Sequence, residues 1–173
     1  MKQQRCPWAK SELDIAYHDQ EWGRPERDDR KLFEMIILEG MQAGLSWATI
    51  LAKRESMRAA FDSFKAEVMA GYDEAKTAEL MENTAILRNR AKIAALPVNA
   101  QAFLRVQAEF DGFHNYLWSF VDGRPIVNHW EKPEDIPAST DISTALSRDL
   151  RKRGFKFVGP VICYAYMQAV GLV

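Results

Sequence analysis

Apolar residues in this chain recur at helical spacing over most of its length, and strict strand-like alternation is almost absent. That pattern constrains the fold more than any other feature, and it predicts an all-α protein. Asp28 to Glu39 opens with acids and then places Leu32, Phe33, Ile36 and Ile37 on one face. Gly40 and Gly44 interrupt it, and Ser46 can cap a next helix carrying Trp47, Ile50, Leu51, Met57 and Phe61. Further helices are expected around Asp73 to Asn83 and over Asn89 to Phe110, the second broken or bent at Pro97. Asp111-Gly112 marks a turn, and Tyr116 to Val121 reads as a short apolar helix or turn. Asp122 to Pro137 is the loosest region, with one extended candidate at Ile126-Val127. Ser139-Thr140 opens a helix to about Arg153, and a last helix starts near Gly159-Pro160 with proline in its first turn.

The 173 residues fit one domain, or two small lobes sharing a core. No apolar run reaches the ~18 residues of a membrane span, and the N-terminal M-K-Q-Q-R-C-P-W has no apolar signal core. Cys6 and Cys163 are too few for a disulfide framework and fit a reducing cytoplasm. A net charge of −1 argues against broad, nonspecific nucleic-acid binding but leaves room for a local basic patch.

Leu38 to Trp47 reads L-E-G-M-Q-A-G-L-S-W. It sets a carboxylate, Glu39, inside an apolar run with Trp47 eight residues on. Two readings are open. Glu39 can end an amphipathic helix and face water. It can instead be buried beside an aromatic plate, which would suit a flat, electron-poor or cationic ring such as a nucleobase.

Near the C-terminal end, L-R-K-R-G-F-K-F-V-G-P-V-I-C-Y-A-Y-M-Q-A joins a basic helix to a second helix through a short glycine turn. Arg148 to Lys156 carries five cations against one acid, Asp149. Unpaired N–H groups at the second helix's start can hold a phosphate, and the cations strengthen it. A plain helical hairpin with basic residues suited to a helix C-terminus is the alternative.

Three segments, Ile15 to Gly23 (I-A-Y-H-D-Q-E-W-G), Lys31 to Trp47 and Lys152 to Val173, together resemble the methyladenine glycosylases of the helix-hairpin-helix DNA glycosylase superfamily. The resemblance covers nearly the whole chain. It implies two helical lobes with the base pocket between them, in a single domain over 1–173 whose helix-hairpin-helix element lies at about 140–172. It also implies a monofunctional enzyme that hydrolyses the N-glycosidic bond of 3-methyladenine in double-stranded DNA. The products would be the free base and an abasic site, and the enzyme would act as a monomer in the cytoplasm. By resemblance, Glu39 would be the catalytic and base-binding carboxylate. Tyr17 would bond the base edge, and Trp47 would stack on it, with Trp8 and Trp22 completing the wall. Gly44 and Leu45 would stand at the DNA gap, Leu45 as a wedge. Lys152, Gly154, Phe155, Lys156 and Gly159 would grip the backbone. No Asp or Glu follows Gly154, and Pro160-Val161 stands where a hairpin lysine nucleophile would be, so lyase chemistry is not expected.

The family pattern also implies a structural zinc, with Cys6 and His18 as two of its ligands and a further His and Cys beyond Val173. Two ligands do not close a tetrahedral site, so Cys6 as an ordinary thiol and His18 as a polar residue beside Asp19 stay open. Asp14 stands where an aromatic residue would be the more usual pocket neighbour. Cys163, Trp118 and Phe120 read as core, and His114 and His129 as surface residues. Two other functions compete: a noncatalytic module that binds damaged or bent DNA, and a helical scaffold. A base pocket at Glu39, Tyr17 and Trp47 separates the enzyme from the first, and the basic hairpin separates both from the second.

Overall fold

The computed structural model describes residues 4–173. Among them are nine α-helices and no strand: α1 (Glu12–Gln20), α2 (Asp29–Gln42), α3 (Trp47–Ala60), α4 (Ala66–Met69), α5 (Glu74–Glu82), α6 (Arg90–Phe110), α7 (Phe113–Ser119), α8 (Asp141–Lys152) and α9 (Pro160–Ala169). Local caps set most of the starts. Asp28, Ser46, Asp73, Asn89 and Thr140 each accept the backbone N–H of their helix's third residue, and Ser11 forms a capping box with Asp14 at α1.

Three expectations change. α6 runs unbroken through Pro97. Proline removes one donor there, but Leu96, Ala100 and Phe103 are buried around it and hold the helix in register. α7 begins three residues earlier than expected, at Phe113. Its N-terminal amides are bonded from a distance: Asp29 of α2 accepts Phe113 N at 2.8 Å and His114 N at 2.9 Å. His114 also meets Asp29 through Nδ1 at 2.8 Å, so it belongs to this junction. Ile126-Val127 forms no strand, although Ile126 N donates to Leu172 O at 2.8 Å.

The buried apolar side chains form one continuous cluster. α2 runs through its middle with ten consecutive buried residues from Leu32 to Met41. Phe33 of α2 meets Phe103 at a tilt, with ring centroids 4.7 Å apart, and Phe103 stacks on Phe113 at 4.6 Å. α8 and α9 pack against each other as a hairpin, and α9 packs on α2. Gly40 makes that approach close: a Cβ there would stand 3.3 Å from both Phe157 Cβ and Phe157 O. Gly40→Ala would gain about 1 kcal/mol of helix propensity. Overpacking against a backbone oxygen costs typically 1–3 kcal/mol. A net loss of about 1 kcal/mol is expected in a denaturant melt; a melt unchanged from wild type would show that the hairpin yields freely.

Candidate functional site

Glu39 lies in the last turn of α2 and is 4% exposed. The open question is thus settled against a solvated helix end. No hydrogen bond or ion pair to its carboxylate forms among the described residues, and burial pushes its pKa up to about 8. The helix C-terminus adds to this, since its dipole disfavours an anion. Glu39 is the one acid lining a cavity of about 490 Å³ whose other walls include Trp8, Tyr17, Trp22 and Trp47.

The aromatic walls come from three places. Tyr17 is on α1, and Trp47 is the first residue of α3, where Ser46 fixes the start. Their rings lie 5.5 Å apart at 48°. Trp8 and Trp22 flank α1 and meet edge to face at 5.5 Å. The Tyr17 hydroxyl and the Trp47 Nε1 are buried and have no hydrogen-bond partner among the described residues. Buried polar atoms are normally paired, so two orphaned donors beside an unpaired carboxylate describe a site built for a polar, planar guest. Burial and the neighbouring Glu39 both raise the Tyr17 pKa, so its O–H stays a donor. Arg54 of α3 fixes α1 against α2: it donates to both oxygens of Glu21 at 2.7 and 2.8 Å, and through Nε to Glu34 at 2.8 Å.

Sequence reading missed several lining residues. Gln42, Pro133, Ile136, Ala165 and Gln168 also face the cavity. Gln42 lies within the L-E-G-M-Q run and one helical turn from Glu39, which is a usable signal. The other four arrive from α9 and the 122–137 loop through tertiary packing alone. Asp14 lies outside this lining; its Oδ2 accepts Ser11 N at 3.2 Å as part of the α1 cap.

The residues expected to touch DNA divide into two groups. Gly44 (φ +81°) and Leu45, which is 39% exposed, form the turn between α2 and α3. Gly154 (φ +100°), Lys156 and Gly159 form the turn between α8 and α9, and Gly159 is the N-cap of α9. Phe155 is a correction. It is 2% exposed and packs toward Phe113, so its side chain serves the core. The basic patch is also smaller than its composition. Arg153 is bonded to Asp149 and Glu109, both at 2.7 Å, and lies over Phe110 and Tyr116. Arg148, Arg151, Lys152 and Lys156 are exposed, without an ion pair among the described residues.

Cys6 and His18, the two residues expected to ligate zinc, are neighbours. The Cys6 backbone N–H donates to His18 Nε2 at 3.3 Å, and His18 Nδ1 meets Asp19 at 2.9 Å. The ring also stacks on Trp22 at 5.5 Å. Among the described residues no cluster of three or more His, Cys, Asp or Glu could hold a metal ion. The zinc that the resemblance implies is not matched by the donors present. Cys163 is buried, bonded through Sγ to Val158 O, and its thiol pKa is pushed up to about 12 by burial. No helix among the described residues is long and apolar enough to cross a membrane.

Comparison with known proteins gives one answer. The sequence pattern of the methyladenine glycosylase family matches residues 8–173. The chain is 50% identical to DNA-3-methyladenine glycosylase 1 of Escherichia coli (strain K12), covering 98% of this chain and 91% of that protein. A crystal structure of 3-methyladenine DNA glycosylase I superposes with a TM-score of 0.95 at 52% identity, covering 98% of this chain and 94% of that one. The Staphylococcus aureus enzyme, solved to explain 3-methyladenine recognition, superposes with a TM-score of 0.92 at 37% identity, covering 94% and 87%. The chain, whose matched residues 8–173 include Glu39, the four aromatic walls and the hairpin, therefore belongs to the methyladenine glycosylase family.

Proposed function

We propose that this protein excises 3-methyladenine from double-stranded DNA; its relatives are named DNA-3-methyladenine glycosylases. It releases the free base and leaves an abasic site. The observation that carries the reading is the unpaired, buried Glu39 carboxylate inside an aromatic box. Methylation at N3 makes adenine cationic, and a desolvated carboxylate faced by π-clouds favours a cation over neutral adenine. Water's oxygen bonds the sugar C1′ as the C1′–N9 bond breaks, the bonding pair neutralises the ring, and the attacking water gives up one proton to solvent as it becomes the C1′ hydroxyl. The ring is already a good leaving group, so selective binding of the extruded base supplies much of the discrimination. Tyr17 O–H and Trp47 N–H supply donors for the base edge, and Trp47, Trp8 and Trp22 supply faces. Leu45 fills the stack as a wedge. Lys152, Lys156 and the amides after Gly159 hold the backbone, and the chain acts as a monomer in the cytoplasm. Cys6 and His18 would supply two ligands to a zinc only with two further donors. Plasma mass spectrometry of the purified protein tests it: one zinc per chain would support Cys6 and His18 as ligands, and no zinc would remove them from a metal role.

The test is base release from methylated duplex DNA, with freed bases identified by chromatography and mass. Release of 3-methyladenine with 7-methylguanine left in place is expected. No release by folded protein that still binds DNA would favour a noncatalytic damage binder. If Arg148, Arg151, Lys152 and Lys156 each neutralise a phosphate, log affinity should fall against log salt with a slope of about −3.6. A flat salt dependence would remove the hairpin from the DNA interface.

A further inference from the structure

Two buried polar side chains of α6, Lys92 and Asn99, lie two helical turns apart and are 9% and 7% exposed. Neither pairs with a charged group. Lys92 Nζ donates to Met41 O at 2.8 Å and to Ala43 O at 2.7 Å. These carbonyls end α2 and begin the Gly44-Leu45 turn. The last carbonyls of a helix have no donor of their own, and a cation there also matches the dipole. The same turn is braced from within: Leu45 N donates to Gln42 O at 2.7 Å, and Gln42 Nε2 donates to Leu45 O at 2.8 Å. Asn99 grips the α8–α9 turn in the same manner. Its Oδ1 accepts Lys156 N at 2.7 Å and its Nδ2 donates to Lys156 O at 3.2 Å. One continuous helix therefore holds both the Leu45 turn and the hairpin.

We propose that Lys92 is a positioning residue of the glycosylase: it sets the Leu45 turn at a fixed offset from the hairpin that Asn99 holds, so that the wedge meets the base stack while the hairpin grips the backbone. The proposal rests on Leu45 being the wedge. A lysine spent on two main-chain carbonyls loses nearly all its rotamer freedom. An ordinary helix end needs only a glycine or water. The burial is placed at the one helix end that carries both Glu39 and the exposed leucine.

A double-mutant cycle on single-turnover excision tests it, using Lys92→Met, Leu45→Ala and the pair. Lys92→Met keeps the aliphatic stem and removes the donors. Excision from methylated duplex is expected to slow about tenfold, the effect of losing one to two net hydrogen bonds. Binding of free 3-methyladenine, read by tryptophan fluorescence, is expected to stay near wild type, because the pocket needs no wedge. In the Leu45→Ala background the same change is expected to cost little, because residues that act through one another are not additive. Costs that add in full, excision at the wild-type rate, or a matching loss of free-base binding would each overturn the role of Lys92. Leu45→Ala excising normally would overturn the wedge itself, and the two failures are told apart by that single variant. Should Lys92→Met not fold, Lys92→Arg in the same cycle decides: it keeps the charge but changes the reach, and its cost must also vanish with Leu45→Ala.

Discussion

Glu39→Gln is expected to weaken binding of the cationic base and slow excision by roughly 30-fold to more than 1,000-fold. Removing one partner of a buried charge pair costs about 2–5 kcal/mol. Glutamine keeps the shape and one acceptor, so the loss measures the charge. The same variant is expected to be the more stable protein in mild alkali. The folded-state pKa of Glu39, about 8, lies above its ordinary 4.5. The folded protein thus holds a proton that the unfolded chain gives up, and stability is lost as pH rises from about 4.5 to about 8. Glutamine removes that loss, so thermal melts of the two proteins should agree near pH 4 and diverge in favour of the variant by pH 8. Opposite signs for stability and activity are the mark of a group placed for its ligand. For wild type, kcat/KM on methylated duplex should rise with pH through the free-protein value, because only the ionised carboxylate meets the cation with charge. In the complex the cation pulls the same pKa down, so kcat should show the rise at lower pH. Equal activity of Glu39→Gln, or a pH profile without a rise that the variant lacks, would remove the carboxylate from the chemistry.

How much of this was legible in the sequence depends on how far each cause reaches along the chain. Helix starts set by Asp28, Ser46 and Thr140 could be read because cap and capped amide are three residues apart. α1 could not, because it buries only Asp14 and Tyr17 and so shows no apolar stripe. The start of α7 is governed by Asp29, 84 residues away, and local pattern places it too late. The pocket pair Glu39 and Trp47 stood out because a carboxylate in an apolar run conflicts with its surroundings, and such conflicts gather at functional sites. Lys92 and Asn99 gave no such signal. Their partners are main-chain atoms 51 and 57 residues distant, and a lone lysine in a helix reads as a solvated face. The pairing of Arg153 was hidden for the same reason, since Glu109, 44 residues away, takes up part of its charge. Composition counts cations, and only the fold says which are free.

Gly171→Ala is expected to cost about 3 kcal/mol or more, and the cause is not the turn alone. Gly171 sits at φ +76°, where a side chain costs of order 1–3 kcal/mol. A Cβ there would also stand 2.5 Å from both Arg24 C and Pro25 N, closer than any real contact allows. Backbone cannot swing aside as a flexible side chain can. The neighbouring hydrogen bonds make the approach tight: Gly23 N donates to Ala169 O at 3.1 Å, Glu26 N to Val170 O at 3.0 Å, and Ile126 N to Leu172 O at 2.8 Å. This seam joins the segment after α1, the end of α9 and the loop that carries Ile126. Trp22 and Gln168 are the residues immediately before its first bond, and both line the pocket. Displacing the seam should therefore lower the melting temperature by about 6–12 °C, at 2–4 °C per kcal/mol for a chain of this size. It should weaken free-base binding as well. Gly123→Ala separates the two causes. Gly123 has nearly the same φ, +74°, but nothing lies within 4 Å of the added carbon. Its loss should be the dihedral strain alone, and the difference between the two melts is the cost of the backbone contact. Equal melts would mean that the seam opens without resistance and that the pocket's far wall is not anchored by it.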